Sequence, residues 1–292
     1  MPRTTAPGVR RPVIGRRLEF EWDRARRIAG EQTVEITLAI LRARFGLTAI
    51  PVRTWKRAWS FNRSIAGRTL ARSVFKLDLR TDHFPPDVAR VAAGAMLTPW
   101  SIDAETARWL WREALLQPPR VVLECGSGES TVLFAALFAA LGASARANDE
   151  RGMPPVVSLD QSADYAAGTR ARIDACGWAH LVDVLVAPLG ADANYIISPA
   201  AMTAALGSRR ADWIFVDGPA GYRTGTVPSL AAFARTGTRW FLDDAFDPGY
   251  FAAVETWSTW PGLRVDGIVP IGKGLAVGTI TDPAAASAHQ GR

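Results

Sequence analysis

Several residues that could do chemistry lie where a short apolar run of this chain ends. Glu124 closes the run that begins at Val121, and two glycines, Gly126 and Gly128, follow almost at once. Glycine lets the backbone approach a ligand that a Cβ would repel. A helix that opens directly after such a turn presents free N–H groups and the positive end of its dipole. The pattern predicts a buried strand, a tight ligand-binding turn and a helix from Ser130.

Acids also end later apolar runs. Asp160 closes the run from Val156, Asp217 the run from Trp213, and Asp243 with Asp244 the run from Trp240. In a doubly wound sheet, ligands bind beyond the carboxyl ends of the strands. A carboxylate that ends the second strand is placed to accept hydrogen bonds from ribose hydroxyls. One such acid could merely cap a loop or a helix, but four in register favour a single nucleoside-type site.

Asp217, Asp243 and Asp244 are expected to lie close together, because neighbouring strands are about 4.8 Å apart. Two like charges about 4 Å apart near a protein surface repel by roughly 4 kcal/mol. Three carboxylates therefore need compensation. A divalent cation with oxygen ligands, a shared proton or the nearby Arg223 could each supply it. Without a metal, Asp217 or Asp244 could act as a general base.

Strands and helices alternate from residue 121 onward. Continuous apolar strands separated by helices favour a parallel sheet that is covered on both faces. The end of the chain differs, because Leu263–Ile268 and Leu275–Ile280 predict a β-hairpin. The other predicted strands are Val121–Glu124, Val156–Asp160, Val182–Ala187, Trp213–Asp217 and Trp240–Asp243. The predicted helices run from Ser101, as N-cap, to Pro118, and over Ser130–Leu141, Ser162–Cys176, Val227–Ala234 and Tyr250–Thr259.

With these elements the chain resembles class I S-adenosylmethionine-dependent methyltransferases. The family's first motif, an acid followed by Gly-x-Gly, appears as Glu124-Cys125-Gly126-Ser127-Gly128, and its second acid appears as Asp160. The terminal hairpin also matches. The resemblance covers about residues 98–282 and implies an α/β, doubly wound, mostly parallel seven-stranded Rossmann-like sheet. The residues expected to bind S-adenosylmethionine are Glu124, Gly126, Ser127, Gly128, Ser130, Asp160 and Gln161.

A nicotinamide-dependent oxidoreductase is the competing interpretation of the glycine turn. The dinucleotide fingerprint needs a third small residue for packing of the helix on the strand, and Thr131 holds that place here. An acid such as Glu124 would repel a pyrophosphate, whereas it would attract the cationic, amine-bearing methionine portion of the methyl donor. The sign of this interaction favours the methyl donor.

The second group of acids looks like the metal site of catechol O-methyltransferase-type enzymes, where acids that end strands four and five hold magnesium. The resemblance implies Asp217, Asp243 and Asp244 as Mg²⁺ ligands, with Asp217 also catalytic. The metal would bind and acidify an acceptor hydroxyl. The lysine that serves that family as a base has no counterpart between Ala220 and Arg223.

The expected activity is O-methylation of a small-molecule or saccharide hydroxyl. Two alternatives remain open at this point. One is another enzyme on the same fold, an aminopropyl transferase or a hydroxylase-like relative. The other is a non-catalytic adenosyl-binding module that a basic arm tethers to a membrane or polyanion.

The basic arm follows from an uneven charge distribution. Residues 1–80 carry 18 Lys/Arg and 6 Asp/Glu, although the net charge of the whole chain is only +6. We predict a mostly helical extension over residues 1–97, disordered in 1–17, then the methyltransferase domain and a flexible tail over 283–292. Segment 53–80 interleaves arginines with Trp55 and Trp59. It could dock on an anionic membrane, but a helical cap packed on the catalytic domain is favoured, and no nucleic-acid motif is present.

Composition excludes several classes of site. Two cysteines and three scattered histidines cannot build a disulfide scaffold or a histidine-rich metal site. The chain lacks the run of roughly 20 apolar residues that would span a bilayer. These features predict a cytoplasmic protein, and they leave its acceptor and its oligomeric state open.

Overall fold

A computed structural model describes residues 102–142, 152–191, 193–219, 221, 223–269, 271 and 273–288. The predicted extension of residues 1–97, with the basic segment 53–80, lies outside the described residues. Within the described part, every helix is too short or too polar to cross a membrane.

The described residues form one sheet of seven strands in the order β3-β2-β1-β4-β5-β7-β6. β1 pairs in parallel with β2 and β4, whereas β7 is antiparallel to both β5 and β6. The chain order reverses between β1 and β4, which is where a doubly wound sheet opens a crevice for ligands. The predicted α/β sheet with a C-terminal hairpin is confirmed. The strands are β1 Val122–Cys125, β2 Val156–Asp160, β3 Val182–Val186, β4 Ala211–Val216, β5 Ala234–Leu242, β6 Leu263–Val269 and β7 Leu275–Ile280.

Seven α-helices lie in the described residues. They are α1 Ala104–Leu116, α2 Glu129–Leu141, α3 Ala163–Ala175, α4 Pro199–Leu206, α5 Thr226–Ala231, α6 Pro248–Trp257 and α7 Pro283–Ala288. The prediction of Ser101 as the cap of α1 is wrong. Asp103 caps the helix instead, because its Oδ1 accepts the backbone N–H groups of Glu105 and Thr106, each at 2.9 Å.

Three other segments differ from the expected pattern. The predicted helix Val227–Ala234 is too long, because Ala234 already pairs with Ala211 and opens β5. The stretch 190–210, in which no helix was predicted, contains α4, which Ser198 caps. Residues 283–288, expected to be a flexible tail, form α7, because the Asp282 carboxylate accepts N–H groups of its first turn.

Aromatic side chains fill the core on both faces of the sheet. On one face Phe241 of β5 lies 5.0 Å from Trp213 of β4 and 5.7 Å from Trp109 of α1, between ring centroids. On the other face Trp240 packs edge-on against Trp257 of α6 at 5.1 Å. Consecutive residues of β5 thus serve opposite layers, as the period of two in a strand requires. This double cover holds the carboxyl ends of the central strands in place.

Candidate active site

The glycine turn follows β1 and leads into α2. Gly126 has φ +90°, and a Cβ built there would lie 2.6 Å from the backbone nitrogen of Gly218, just after β4. The absence of a side chain at Gly126 therefore permits the close packing of two chain segments. The predicted contact between Gly126 and a ligand stays a prediction. A Cβ on Gly128 would meet no atom within 4 Å. Gly128 is the glycine that faces open space.

A cavity of about 450 Å³ lies over this turn. Its wall combines the turn, the start of α2, one side of α3, Asp217 after β4 and Ile102 before α1. The lining residues are Ile102, Ser127, Gly128, Glu129, Asp164, Tyr165, Gly168, Thr169, Arg172 and Asp217. Ligand pockets usually measure about 300–1,000 Å³. The cavity is thus large enough for a nucleoside with an attached amino acid.

Asp160, at the end of β2, holds the turn in position. Its Oδ2 accepts hydrogen bonds from the backbone N–H of Ser127 at 3.0 Å and from the Ser127 hydroxyl at 2.6 Å. Its Oδ1 accepts the backbone N–H of Ser162 at 2.8 Å. Only 4% of Asp160 is exposed, and it does not line the cavity, so its effect on the cavity comes mainly from the position in which it holds Ser127. The predicted contact between Asp160 and ribose stays a prediction.

Glu124 is fully buried below the turn. Its Oε2 accepts hydrogen bonds from the Thr131 hydroxyl at 2.5 Å and the Ser158 hydroxyl at 2.6 Å. Burial raises its pKa from 4.5 to about 7, although hydrogen bonds from Ser130, Ser158 and Thr131 oppose the rise. Thr131 also accepts the N–H of Gly128 at 2.9 Å. Glu124 does not line the cavity, and its hydrogen bonds instead connect β1, β2 and the first turn of α2.

Tyr195 lies in the segment between β3 and α4 and was missed by sequence reasoning. Its hydroxyl donates to Oε1 of Gln161 at 3.0 Å. It also lies beside Gly218, because a Cβ built on that glycine would be 2.6 Å from the Tyr195 oxygen. Tyr195 is 6% exposed, and burial raises the pKa of its phenol. The carboxamide of Gln161, a predicted donor-binding residue, is thereby oriented by a buried tyrosine.

The second constellation combines the acids after β4 and β5. Asp217, Asp243 and Asp244 each offer a carboxylate oxygen within 4.8 Å of the others, as the sequence predicted. Asp243 is completely buried, and neither of its carboxylate oxygens has a hydrogen-bond partner. A buried polar atom without a partner costs free energy and calls for an explanation.

Arg223 lies among these acids, as the sequence had allowed. Its Nη2 is 3.6 Å from Oδ1 of Asp217 and 3.8 Å from Oδ2 of Asp244. The guanidinium also donates to three backbone carbonyls, those of Pro219 at 3.1 Å, Asp243 at 3.2 Å and Asp217. Arg223 is 3% exposed, so it is a fixed part of the site.

A second cation comes from the turn between β6 and β7. The Nζ atom of Lys273 is 2.7 Å from Oδ1 of Asp244 and 3.8 Å from Oδ2 of Asp243. Its backbone N–H donates to Oδ2 of Asp103 at 3.2 Å, which connects the turn to the start of α1. Sequence reasoning missed Lys273, because it lies some 30 residues beyond the acids. Two features of the sequence could have indicated Lys273: lysine is rare in this chain, and the residue lies in the predicted hairpin turn.

The pKa values follow from this crowding. Burial raises the pKa of Asp217 to about 6, with Arg223 lowering it and Asp244 raising it. Burial, and then the charges of Asp217 and Asp244, raise the pKa of Asp243 well above its usual value. Burial alone would lower the pKa of Lys273, but the neighbouring carboxylates raise it overall. Lys273 is therefore a cation at neutral pH and not a free base.

The donor set suits a hard divalent cation. Mg²⁺ and Ca²⁺ prefer oxygen ligands, and three carboxylates offer oxygens within 4.8 Å of one another. The two unpartnered oxygens of Asp243 are donors that such a cation would satisfy. The residues present therefore fit a divalent metal, while Lys273 lies in the same place.

No family model and no curated protein matches the sequence. Among solved structures, a Klebsiella pneumoniae protein assigned as an O-methyltransferase matches with a TM-score of 0.50 and 18% identity, over 74% of this chain and 99% of that one. A Staphylococcus aureus protein assigned as a caffeoyl-CoA O-methyltransferase matches with a TM-score of 0.52 and 13% identity, over 70% of this chain and 96% of that one. At these identities the similarity establishes the fold: this chain has the Rossmann-like fold of class I S-adenosylmethionine-dependent methyltransferases.

Proposed function

We propose that this protein transfers a methyl group from S-adenosylmethionine to a hydroxyl oxygen of a small-molecule or saccharide acceptor. The observation that carries the proposal is one continuous cavity wall. The wall runs from the glycine turn, at Ser127 and Gly128, to Asp217, which belongs to the cluster of acids. A donor in the cavity would thus have its reactive end beside carboxylates that can handle an acceptor hydroxyl.

The residues of this chain divide into two groups by role. Ser127, held by Asp160, and Gly128 shape the floor on which the donor is proposed to lie. When bound, S-adenosylmethionine supplies the methyl group by in-line displacement and leaves as S-adenosylhomocysteine. The main contribution of the protein is alignment of the acceptor oxygen with the methyl carbon, since proximity can remove several kcal/mol of the barrier.

Asp217 is the proposed catalytic residue. It lines the cavity, and its pKa of about 6 leaves it ionised above that pH and able to accept the proton of the acceptor hydroxyl. This role as a base applies to the site without a metal. With Mg²⁺ bound, Asp217 would instead be a ligand, together with Asp243 and Asp244. A bound divalent cation would lower the pKa of the acceptor hydroxyl.

The two cysteines of the chain, Cys125 and Cys176, are both free, which suits the cytoplasmic location that we propose.

A cavity-filling variant tests the donor site directly. Gly168 lies on α3 and lines the cavity, and a Cβ built there meets no atom within 4 Å. Gly168→Leu should therefore fill the cavity without straining the helix. Ala167 is exposed on the same helix and outside the cavity lining, so Ala167→Leu is the matched control.

Calorimetry with S-adenosylhomocysteine gives the measurement. We expect binding by the wild type, a loss on the order of tenfold or more in Gly168→Leu, and unchanged binding in Ala167→Leu. Absence of binding by the wild type, or equal binding by both variants, would contradict the proposal. The mass of the product formed with a panel of hydroxylated acceptors then separates methylation from aminopropyl transfer or hydroxylation.

A further inference from the structure

Lys273 and a divalent cation would compete for the same oxygens. The ammonium of Lys273 is 2.7 Å from Asp244 and 3.8 Å from Asp243, two of the three acids that fit a metal. An ammonium at hydrogen-bond distance from a carboxylate oxygen occupies a direction from which a metal would approach. The acid cluster thus already holds a cation of the chain itself.

The two cations of the site differ in how firmly they are held. Arg223 donates to three backbone carbonyls, and its guanidinium carbon lies 3.7 Å from the centre of the Tyr250 ring. Its side chain is only 4% exposed, so moving it would break several contacts at once. The side chain of Lys273 is 30% exposed and carries its charge on a flexible four-carbon stem. Lys273 can move while its backbone stays tied to Asp103.

The chain's own cations do not satisfy the acids completely. Three carboxyl groups share two cations of the chain, and both oxygens of the fully buried Asp243 lack a hydrogen-bond donor. A divalent cation in place of the ammonium would bring more charge and direct ligation to these oxygens. The site is therefore arranged for exchange of one cation for another.

We propose that Lys273 is an exchangeable counter-cation. Its ammonium neutralises the acids in the metal-free protein and swings toward solvent when a divalent cation binds Asp217, Asp243 and Asp244. The inference rests on the metal site of the proposed function and adds a residue that sets its affinity. Lys273 holds the metal-free site together and, for the same reason, weakens metal binding.

The test uses Mn²⁺ as the probe and full-length protein treated with EDTA. Calorimetry and the electron paramagnetic resonance signal of free Mn²⁺ give the affinity without any need for turnover. Lys273→Met removes the charge and keeps the length of the side chain, whereas Lys273→Arg keeps the charge. Arg264→Met removes a charge from the same hairpin, where Arg264 pairs with Asp266 away from the acids, and is the matched control.

We expect Lys273→Met to bind Mn²⁺ at least about tenfold more tightly than the wild type. Lys273→Arg and Arg264→Met should each stay within about threefold of the wild type. Thermal unfolding gives a second measure: metal-free Lys273→Met should melt at a lower temperature than the wild type, and saturating Mn²⁺ should raise its melting temperature by more. If Lys273→Met folds poorly without metal, Lys273→Gln takes its place, and its melting temperature in the presence of Mn²⁺ is compared with that of the wild type.

Equal or weaker Mn²⁺ binding by Lys273→Met would overturn the inference, as would absence of Mn²⁺ binding in all four proteins. Calorimetry with S-adenosylhomocysteine on the same samples keeps the two proposals apart. A protein that binds S-adenosylhomocysteine but not Mn²⁺ refutes the counter-cation and leaves methyl transfer standing. A protein that binds neither refutes both.

Discussion

Alanine at the two glycines of the turn should have opposite consequences. Gly126→Ala is expected to lower the free energy of unfolding by about 2–5 kcal/mol, whereas Gly128→Ala should change it by less than about 1 kcal/mol. Conversely, Gly128→Ala should weaken binding of S-adenosylhomocysteine on the order of tenfold, because the new methyl group enters open space at the cavity wall.

The magnitude at Gly126 comes from two separate effects. Its φ of +90° lies in a region that costs an L-residue roughly 1–2 kcal/mol. The new Cβ would also lie 2.6 Å from the nitrogen and 2.9 Å from the Cα of Gly218. Backbone cannot yield as a flexible side chain can, and overpacking of this kind costs about 1–3 kcal/mol. Neither steric effect applies at Gly128.

Urea unfolding followed by circular dichroism measures the first quantity, and calorimetry with S-adenosylhomocysteine measures the second. Each variant serves as the control for the other, since both make the same chemical change two residues apart. If Gly126→Ala unfolds within 0.5 kcal/mol of the wild type, a threshold on the order of the usual surface-mutation scatter, the packing explanation fails. If Gly128→Ala is more destabilised than Gly126→Ala, then Gly128, and not Gly126, is the glycine that close packing requires.

Three further changes test other parts of the site. Glu124→Gln should remove a pH dependence of stability. The wild type loses stability as pH rises from about 4.5 to 7, because over this range the Glu124 carboxyl ionises freely only in the unfolded state. Urea titrations should therefore show that the free energy of unfolding of the variant gains about 3 kcal/mol relative to that of the wild type over this pH range. Asp243→Asn should raise the unfolding free energy of EDTA-treated protein by about 1–2 kcal/mol, because it removes a buried carboxylate whose oxygens lack hydrogen-bond partners. Calorimetry should show that this variant no longer binds Mn²⁺. Arg223→Met should lower the free energy of unfolding in urea by about 3–5 kcal/mol, because it leaves the acids and backbone carbonyls without their partner. A change below about 1 kcal/mol, the value of an exposed ion pair, would refute the structural role of Arg223.

The central strands could be predicted because β1, β2, β4 and β5 each contain a short, largely apolar run that is followed by an acid. Buried parallel strands are recognisable in a sequence by such runs. Because Asp217, Asp243 and Asp244 follow neighbouring strands, they lie together as expected. Helix limits were harder, since Ser101 and Asp103 are both acceptable caps and only the hydrogen bonds of Asp103 decide between them.

The contacts of the site that come from distant parts of the chain could not be predicted. Tyr195 reaches Gln161 from a loop, and Lys273 reaches the acids from a hairpin turn. Neither has a periodic pattern or a fixed spacing that would indicate its partner. The packing role of Gly126 could not be predicted either, because a close approach to Gly218 and a close approach to a ligand both require a glycine.

The hydrogen bonds between Asp160 and Ser127 have a consequence for how a ligand would associate. Both the amide and the hydroxyl of Ser127 are held by one carboxylate, so the turn has its final shape before anything enters the cavity. A preorganised surface spares the entropy that ordering a loop would cost on association. Recognition at this floor should accordingly be close to rigid docking, with the conformational adjustment confined to the ligand and to side chains such as the exposed Tyr165.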